Sequence, residues 1–251
     1  VKYHKKETIV STTKVKNPNE RGNGFIWALV ILGLVIAAVI GYILFTGRSA
    51  QTEKVLDGVD VQDVAFDVQY QDNAIKLVGK DATEDTPQID LYEDYSCSYC
   101  AKLAARSDGD MKKAVEDGKL VVNIRSLNFL DRGQDGHSTL AGASADALAQ
   151  AGDAKAYWNL RTTLLEKQEE IYGKWQADNM ADVSEALGAP ADAVKAIRDR
   201  SNIEHYKQVA TENAEKLKAA DPEGQVSTPR VLKDGVDVEL DENWVDEVSA
   251  K

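Results

Sequence analysis

Tyr92-Glu93-Asp94-Tyr95-Ser96-Cys97-Ser98-Tyr99-Cys100 contains the only two cysteines of the chain, three positions apart. Ile89-Asp90-Leu91-Tyr92 leads into the pair and Ala101-Lys102-Leu103-Ala104-Ala105 follows it. This order predicts a strand, a short loop and a helix opening at Cys97, with Ser96 a suitable N-cap type. Within one helical turn Cys97 and Cys100 share a face, so their sulfurs can join and part. At a helix N-terminus the backbone N–H groups and the positive end of the dipole favour a thiolate. A thiol that ordinarily ionises near pH ~8.5 falls to roughly 3.5–7.5 in such settings.

The chain has 251 residues, enough for one sizeable domain and accessory segments. Its formal charge of −12 is unevenly spread: residues 1–24 hold six Lys/Arg and two acids, residues 25–45 none, so the remainder carries −16. That balance argues against a nucleic-acid partner. Residues 1–24 read as a polar arm. The twenty-one uncharged residues Phe25 to Phe45, with Trp27 and Tyr42 near the ends, match a single membrane-spanning helix. A buried core helix fits poorly because the run is apolar on every face, and a signal peptide's apolar region is normally shorter, 7–15 residues. The basic arm places the N-terminus in the cytoplasm and everything after Phe45 outside. Residues 46–64 read as a polar tether.

Beyond the tether, Asp72-Asn73 predicts a turn between Val68-Gln69-Tyr70 and Ile75-Lys76-Leu77. The helix after Cys100 runs to about Asp117, with Gly118 as its stop. Leu120 to Arg125 is a strand, which completes a right-handed β-α-β unit. Residues 137–220 are rich in Ala, Glu, Lys and Leu and predict five helices, at about 137–151, 153–168, 178–187, 190–200 and 202–219. Strand signals return at Val231-Leu232, Asp234-Gly235 is a hairpin turn, and Val236 to Glu239 returns. A last helix covers about 241–250. The second half thus completes a sheet begun by the first.

The C-x-x-C has three readings: a redox dithiol, half of a zinc or copper site, or an inert pair. A structural zinc site needs four N/S ligands, and past residue 45 only His137 and His205 are available. An inert pair this close would oxidise outside the cell. The redox dithiol is favoured. The second motif is Val226-Ser227-Thr228-Pro229, just before the returning strand, where a proline alone reads as a strand-start device. His137 and His205 read as helix-face residues and Trp158, Trp175 and Trp244 as core. The acidic residues read mostly as solvated faces.

Taken together, Asp90 to Cys100, the strand Leu120–Arg125, Ala156-Tyr157-Trp158 in the helical stretch, and Val226-Ser227-Thr228-Pro229 followed by Asp234-Gly235 resemble a membrane-anchored DsbA-like protein of the thioredoxin fold. The resemblance covers residues 65–250. It implies an α/β thioredoxin fold with a helical insertion at about 137–220, preceded by a single transmembrane helix. It further implies that Cys97 is the exposed nucleophile, Cys100 the buried resolving thiol, and Pro229 cis and packed against the disulfide, with peptide groups around Thr228 pairing with a substrate backbone.

The chain departs from the family between its cysteines, where Ser98-Tyr99 stands in place of Pro-His. A Tyr cannot stabilise the Cys97 thiolate by charge, so a less depressed pKa and a less oxidising couple are expected. Thioredoxin's buried acid, six residues before the first cysteine, corresponds to Leu91. That role is vacant unless Asp94 or Glu93 fills it; Asp94 is the candidate proton acceptor for Cys100, with a solvated turn residue as its ordinary alternative.

The resulting expectation is an extracytoplasmic thiol–disulfide oxidoreductase, anchored through residues 25–45, that forms disulfides in reduced secreted clients through Cys97 and Cys100. It needs no metal or organic cofactor, works as a monomer, and depends on a membrane or extracytoplasmic redox partner. A reductase or isomerase is the same-class alternative; a metal-binding or client-holding module is the other.

Overall fold

The computed structural model describes residues 26–39 and 56–250. The chain divides into two units, residues 1–51 and 52–251. In the first, 26–39 form helix α1, whose apolar side chains, Ile26, Trp27 and Leu34 among them, are exposed. Among the described residues no helix is long and apolar enough to cross a membrane. The arm 1–24, the two ends of the expected span at 25 and 40–45, and the tether as far as 55 lie outside the described residues.

The second unit is organised around β3 (Gln88–Asp94), which pairs in parallel with β4 (Val121–Leu127) and antiparallel with β5 (Arg230–Lys233). With β1 (Phe66–Gln71), β2 (Ala74–Gly79) and β6 (Val236–Asp237) the sheet runs β1-β2-β4-β3-β5-β6. The first hairpin turns at Asp72 and Asn73, both at positive φ (51° and 58°). Such a two-residue turn matches the right-handed twist of the strands it joins, and Asn and Asp tolerate the left-handed conformation. Residues along β3 alternate between two cores. Leu91 joins the larger one, shared with Cys100, Leu103, Trp158 and Trp244; Tyr92 points the other way, to Leu127, Leu217 and Leu232.

The β3–β4 crossover is α2 (Ser98–Glu116). Its buried residues Cys100, Leu103, Ala104, Ser107, Asp108, Met111, Ala114 and Val115 recur at helical spacing, which lays one stripe on the sheet. Truncating such a side chain, Met111→Ala for example, costs about 2–5 kcal/mol. The helix ends where Gly118, at φ 67°, lets its own N–H and that of Lys119 reach the carbonyls of Val115 and Ala114. Gly79 makes this packing possible: a Cβ there would sit 1.9 Å from the Val115 carbonyl oxygen.

Between β4 and β5 the chain forms a 3₁₀ turn (Phe129–Asp131), then α3 (His137–Gln150), α4 (Ala154–Glu166), α5 (Gln168–Ile171), α6 (Ala177–Ala186), α7 (Ala191–Arg198) and α8 (Ile203–Ala220). The sequence misses α5, which is too short to show a period. α8 returns to the sheet, where the Tyr206 hydroxyl donates to the Leu127 carbonyl (3.2 Å). The hydroxyl end of Tyr206 lies where a side chain at Gly142 of α3 would be. α9 (Trp244–Ser249) closes the chain against α2.

One expected boundary moves. Residues 56–64, read as the end of a polar tether, pack on α4. Gln62 and Asn159 exchange hydrogen bonds, Gln62 N–H to Asn159 Oδ1 (2.7 Å) and Asn159 Nδ2 to Gln62 O (2.8 Å), and Trp158 Nε1 donates to Gln62 Oε1 (3.1 Å). Amide side chains leave no apolar period, so this docking has no pattern in the sequence.

Candidate active site

Cys97 is itself the N-cap of α2, with extended backbone (φ −83°, ψ 111°) and no side-chain cap bond. Ser96, the expected cap, is engaged elsewhere: its hydroxyl lies 2.7 Å from that of Ser138 at the start of α3. The Cys97 thiol donates to the Thr228 carbonyl (3.3 Å), and the Thr228–Pro229 peptide is cis. The Cys97 pKa is lowered to about 5. The main cause is a hydrogen bond from the Cys100 thiol; the Thr228 side-chain hydroxyl and the backbone N–H groups of Cys100 and Tyr99 add to it, and burial opposes it. That value lies between the ~3.5 of the strong oxidant DsbA and the ~7 of thioredoxin. It is reached by hydrogen bonds rather than by a charge in the dipeptide. Tyr99 is exposed, with the Lys102 ammonium 5.2 Å from its ring centroid.

Cys100 is buried, and both cysteines are free thiols. Burial pushes the Cys100 thiol far above its ordinary range, and the neighbouring Cys97 sulfur pushes the same way. A small cavity beneath Cys100 is bordered by Glu93, Asp108, Arg161, Pro229 and Trp244. Strand parity explains which acid reaches it. Leu91 borders the cavity, and in a strand residue 93 shares its face while residue 94 points away.

Glu93 is held by Arg161, which donates from Nε (2.9 Å) and Nη2 (2.7 Å) to its two oxygens. Arg161 Nη1 also donates to Asp108 (2.6 Å), and the guanidinium sits 5.2 Å from the Trp158 ring centroid. All three groups are buried. Burial raises the pKa of both carboxyl groups, with Arg161 opposing. The cluster has two acids for one base, so its surplus carboxyl group is the one that burial favours in the protonated state.

Asp94, the residue singled out as proton acceptor, is neither at that cavity nor solvated. Its carboxylate accepts from Ser96 N–H (2.8 Å), the Ser138 hydroxyl (2.5 Å) and Leu130 N–H (3.3 Å). It therefore ties the loop before Cys97 to the 3₁₀ turn and to α3. Burial raises its pKa to about 6 against those three hydrogen bonds. Gln168 of α5 completes the grip, donating to the carbonyls of Tyr95 (2.7 Å) and Cys97 (3.2 Å).

Arg161, Asp108, Ser138 and Gln168 were not singled out in the sequence, where the acids read as solvated faces. A signal for Arg161 does exist. It follows Tyr157 by four residues and precedes Leu164 by three, so it falls on the buried stripe of α4.

A thiol at the helix N-cap position, a buried second thiol and the Thr228 carbonyl of a cis Thr–Pro peptide, brought together where β3 ends and β5 begins, define a thioredoxin-type dithiol centre. The chain matches the family described as Thioredoxin over residues 76–249 and belongs to it. It is similar to solved structures of MdbA, a thiol-disulfide oxidoreductase from Corynebacterium matruchotii (40% identity, 79% of this chain and 98% of that one, TM-score 0.74). It is also similar to MdbA from Corynebacterium diphtheriae (43% identity, 77% and 98%, TM-score 0.73). DsbA of Mycobacterium tuberculosis, at 17% identity over 71% of this chain and 93% of that one (TM-score 0.58), shares the fold. Among curated proteins it matches the serine/threonine-protein kinase PknE of Mycobacterium tuberculosis, 26% identical over 135 residues; the match covers 51% of this chain and 24% of the kinase. The chain therefore spans about a quarter of that relative's length.

Proposed function

We propose that the chain is a thiol–disulfide oxidoreductase that forms disulfides in reduced polypeptides outside the cytoplasm. The observation that carries this reading is the Cys97 thiol, at the N-cap position of α2, with a pKa lowered to about 5 and in contact with the carbonyl of the cis Thr228–Pro229 peptide. The similarity to the two MdbA structures supports it.

In the oxidised enzyme a client thiolate attacks Cys97 Sγ. The Cys97–Cys100 bond breaks, and Cys100 leaves as a buried thiolate that takes up a proton. A second client thiolate then attacks the client sulfur of the mixed disulfide, and Cys97 leaves as a thiolate. The client loses two electrons, the cysteine pair gains them, and a redox partner must remove them. A stabilised Cys97 thiolate makes the last step easy. Peptide groups beside Thr228 align the client chain.

Glu93, backed by Arg161 and Asp108, is the proton source for Cys100, in place of Asp94. It borders the same cavity as Cys100, and burial favours its protonated form. Asp94 instead positions the loop.

The apolar run 25–45 anchors the chain in a bacterial plasma membrane with the catalytic unit outside. Its uncharged sequence and the exposed apolar side chains of 26–39 support this.

The test uses the full chain, oxidised, with a reduced unfolded polypeptide. Loss of client thiols with wild type, none with Cys97→Ala, and a client-linked adduct trapped by Cys100→Ala are expected; client oxidation that survives Cys97→Ala would sink the proposal. Retention of the chain in alkali-washed membranes, and its release when residues 1–49 are removed, checks the anchor.

A further inference from the structure

We propose that His137 and Tyr172 form a main-chain binding subsite for the client polypeptide beside Cys97, with the His137 imidazole as its hydrogen-bonding group. The proposal rests on the oxidoreductase reading above.

His137 is the first residue of α3 and is only 7% exposed, yet among the described residues neither ring nitrogen has a hydrogen-bond partner. A buried polar group left in this way is costly, and native proteins rarely tolerate it without a use. Burial holds the ring neutral against the pull of Asp131. A neutral imidazole presents one N–H donor and one acceptor. That is the complement of a peptide, whose main chain offers both a carbonyl and an N–H; an uncharged ring suits an anion poorly, and among the described residues no group of three or more His, Cys, Asp or Glu side chains could hold a metal.

The place fits as well. Ser138, the next residue, bonds the Asp94 carboxylate and meets the hydroxyl of Ser96, immediately before Cys97. The ring of Tyr172 stands edge-on to that of His137 at 5.4 Å. One turn before Tyr172, Gln168 holds the Cys97 carbonyl. Both residues therefore flank the loop that presents Cys97, which on another side meets the Thr228 carbonyl. Tyr172 is 57% exposed, a large amphipathic ring left at the surface. Such rings are enriched where one end meets apolar contacts and the other stays wet. An extended client lying over Cys97 displaces the exposed Tyr172 ring that packs edge-on against His137, and so opens the buried imidazole to a peptide group.

The test measures disulfide transfer from the full oxidised chain to dithiothreitol and, separately, to a short extended peptide carrying two cysteines. His137→Phe keeps an aromatic ring beside Tyr172 and removes both hydrogen-bonding atoms; His137→Asn restores a donor and an acceptor. For the peptide, His137→Phe is expected to lower kcat/KM about tenfold through KM, the scale of one lost hydrogen bond. The dithiothreitol rate and the Cys97–Cys100 potential should stay unchanged, and His137→Asn should recover most of the loss. Tyr172→Ala should raise KM for the peptide alone. Equal losses with both reductants, or no loss with either, overturns the subsite and leaves the oxidoreductase reading standing. Wild type that oxidises neither reductant overturns that reading instead.

Discussion

Glu93 and Arg161, sixty-eight positions apart, meet through two parallel hydrogen bonds of 2.9 and 2.7 Å beside the buried Cys100. The pair joins the strand that delivers the cysteines to α4 of the helical block. It puts a protonatable group next to the thiol that most needs one.

Replacing Glu93 by Gln keeps the shape and removes the proton carrier. The step that expels Cys100 should slow by about 10²-fold, the lower end of general acid catalysis. Stopped-flow mixing of oxidised enzyme with excess dithiothreitol measures it, with tryptophan emission as the signal. An unchanged rate would remove Glu93 from the mechanism.

Replacing Arg161 by Met leaves two buried carboxyl groups without their cation. Removing one partner of a buried ion pair costs about 3–5 kcal/mol. Both carboxyl pKa values are already raised by burial, so losing Arg161 raises them further. The loss in urea stability should therefore be larger at pH 7 than at pH 5, where protonation relieves the unpaired charge. Equal losses at both values contradict the account.

The Cys97 pKa of about 5 predicts an alkylation rate with iodoacetamide that rises through a midpoint near that pH. It also predicts how the potential moves. Above the midpoint, and up to about pH 9, reduction of the pair takes up one proton. The potential should then fall by about 30 mV per pH unit, against about 59 mV below the midpoint. At neutral pH a value between those of DsbA and thioredoxin, about −120 and −270 mV, is expected. A value at the thioredoxin end would favour reduction or isomerisation over net oxidation.

Asp94 has a folded pKa of about 6, raised from an ordinary 3.8. The native state holds this proton more tightly than the unfolded chain does. Its contribution to stability is thus full below about pH 4 and is lost as pH rises through 6. Asp94→Asn should flatten the urea-stability profile across that window. A profile unchanged from wild type would mean that the carboxylate is ionised throughout.

The sequence made the local features readable. Cysteine spacing placed the reactive pair, Asp72-Asn73 placed the first hairpin, and Gly118 ended α2, because each is decided within a few residues. What it hid was set by distant partners. Ser138 claims Ser96, so the cap falls to Cys97; Arg161 claims Glu93 from across the fold. Strand parity also separates Asp94 and Glu93, the two acids named for the vacant role. Leu91 stands where thioredoxin has its acid, and a strand alternates, so residue 93 and not 94 shares that face. Gln168 and the docking of Gln62 rest on single amide groups and leave no periodic trace.

The Tyr206–Leu127 hydrogen bond pinches the helical block at its neck, since the chain leaves the sheet at Leu127 and α8 brings it back there. A flexible loop inserted between two such pinned points costs little extra entropy to close, roughly 0.6 kcal/mol per doubling of its length. The register of β3 with β4 and β5 does not depend on it. The cysteines and the cis Thr228–Pro229 peptide thus lie on the side of the neck that holds the sheet and α2, and helices α3 to α7 lie on the other. Arg161, Ser138 and Gln168 all reach back across that boundary, to Glu93, to Asp94 and Ser96, and to the carbonyls of Tyr95 and Cys97, so a change in the excursion would be felt at the sulfurs through these three contacts.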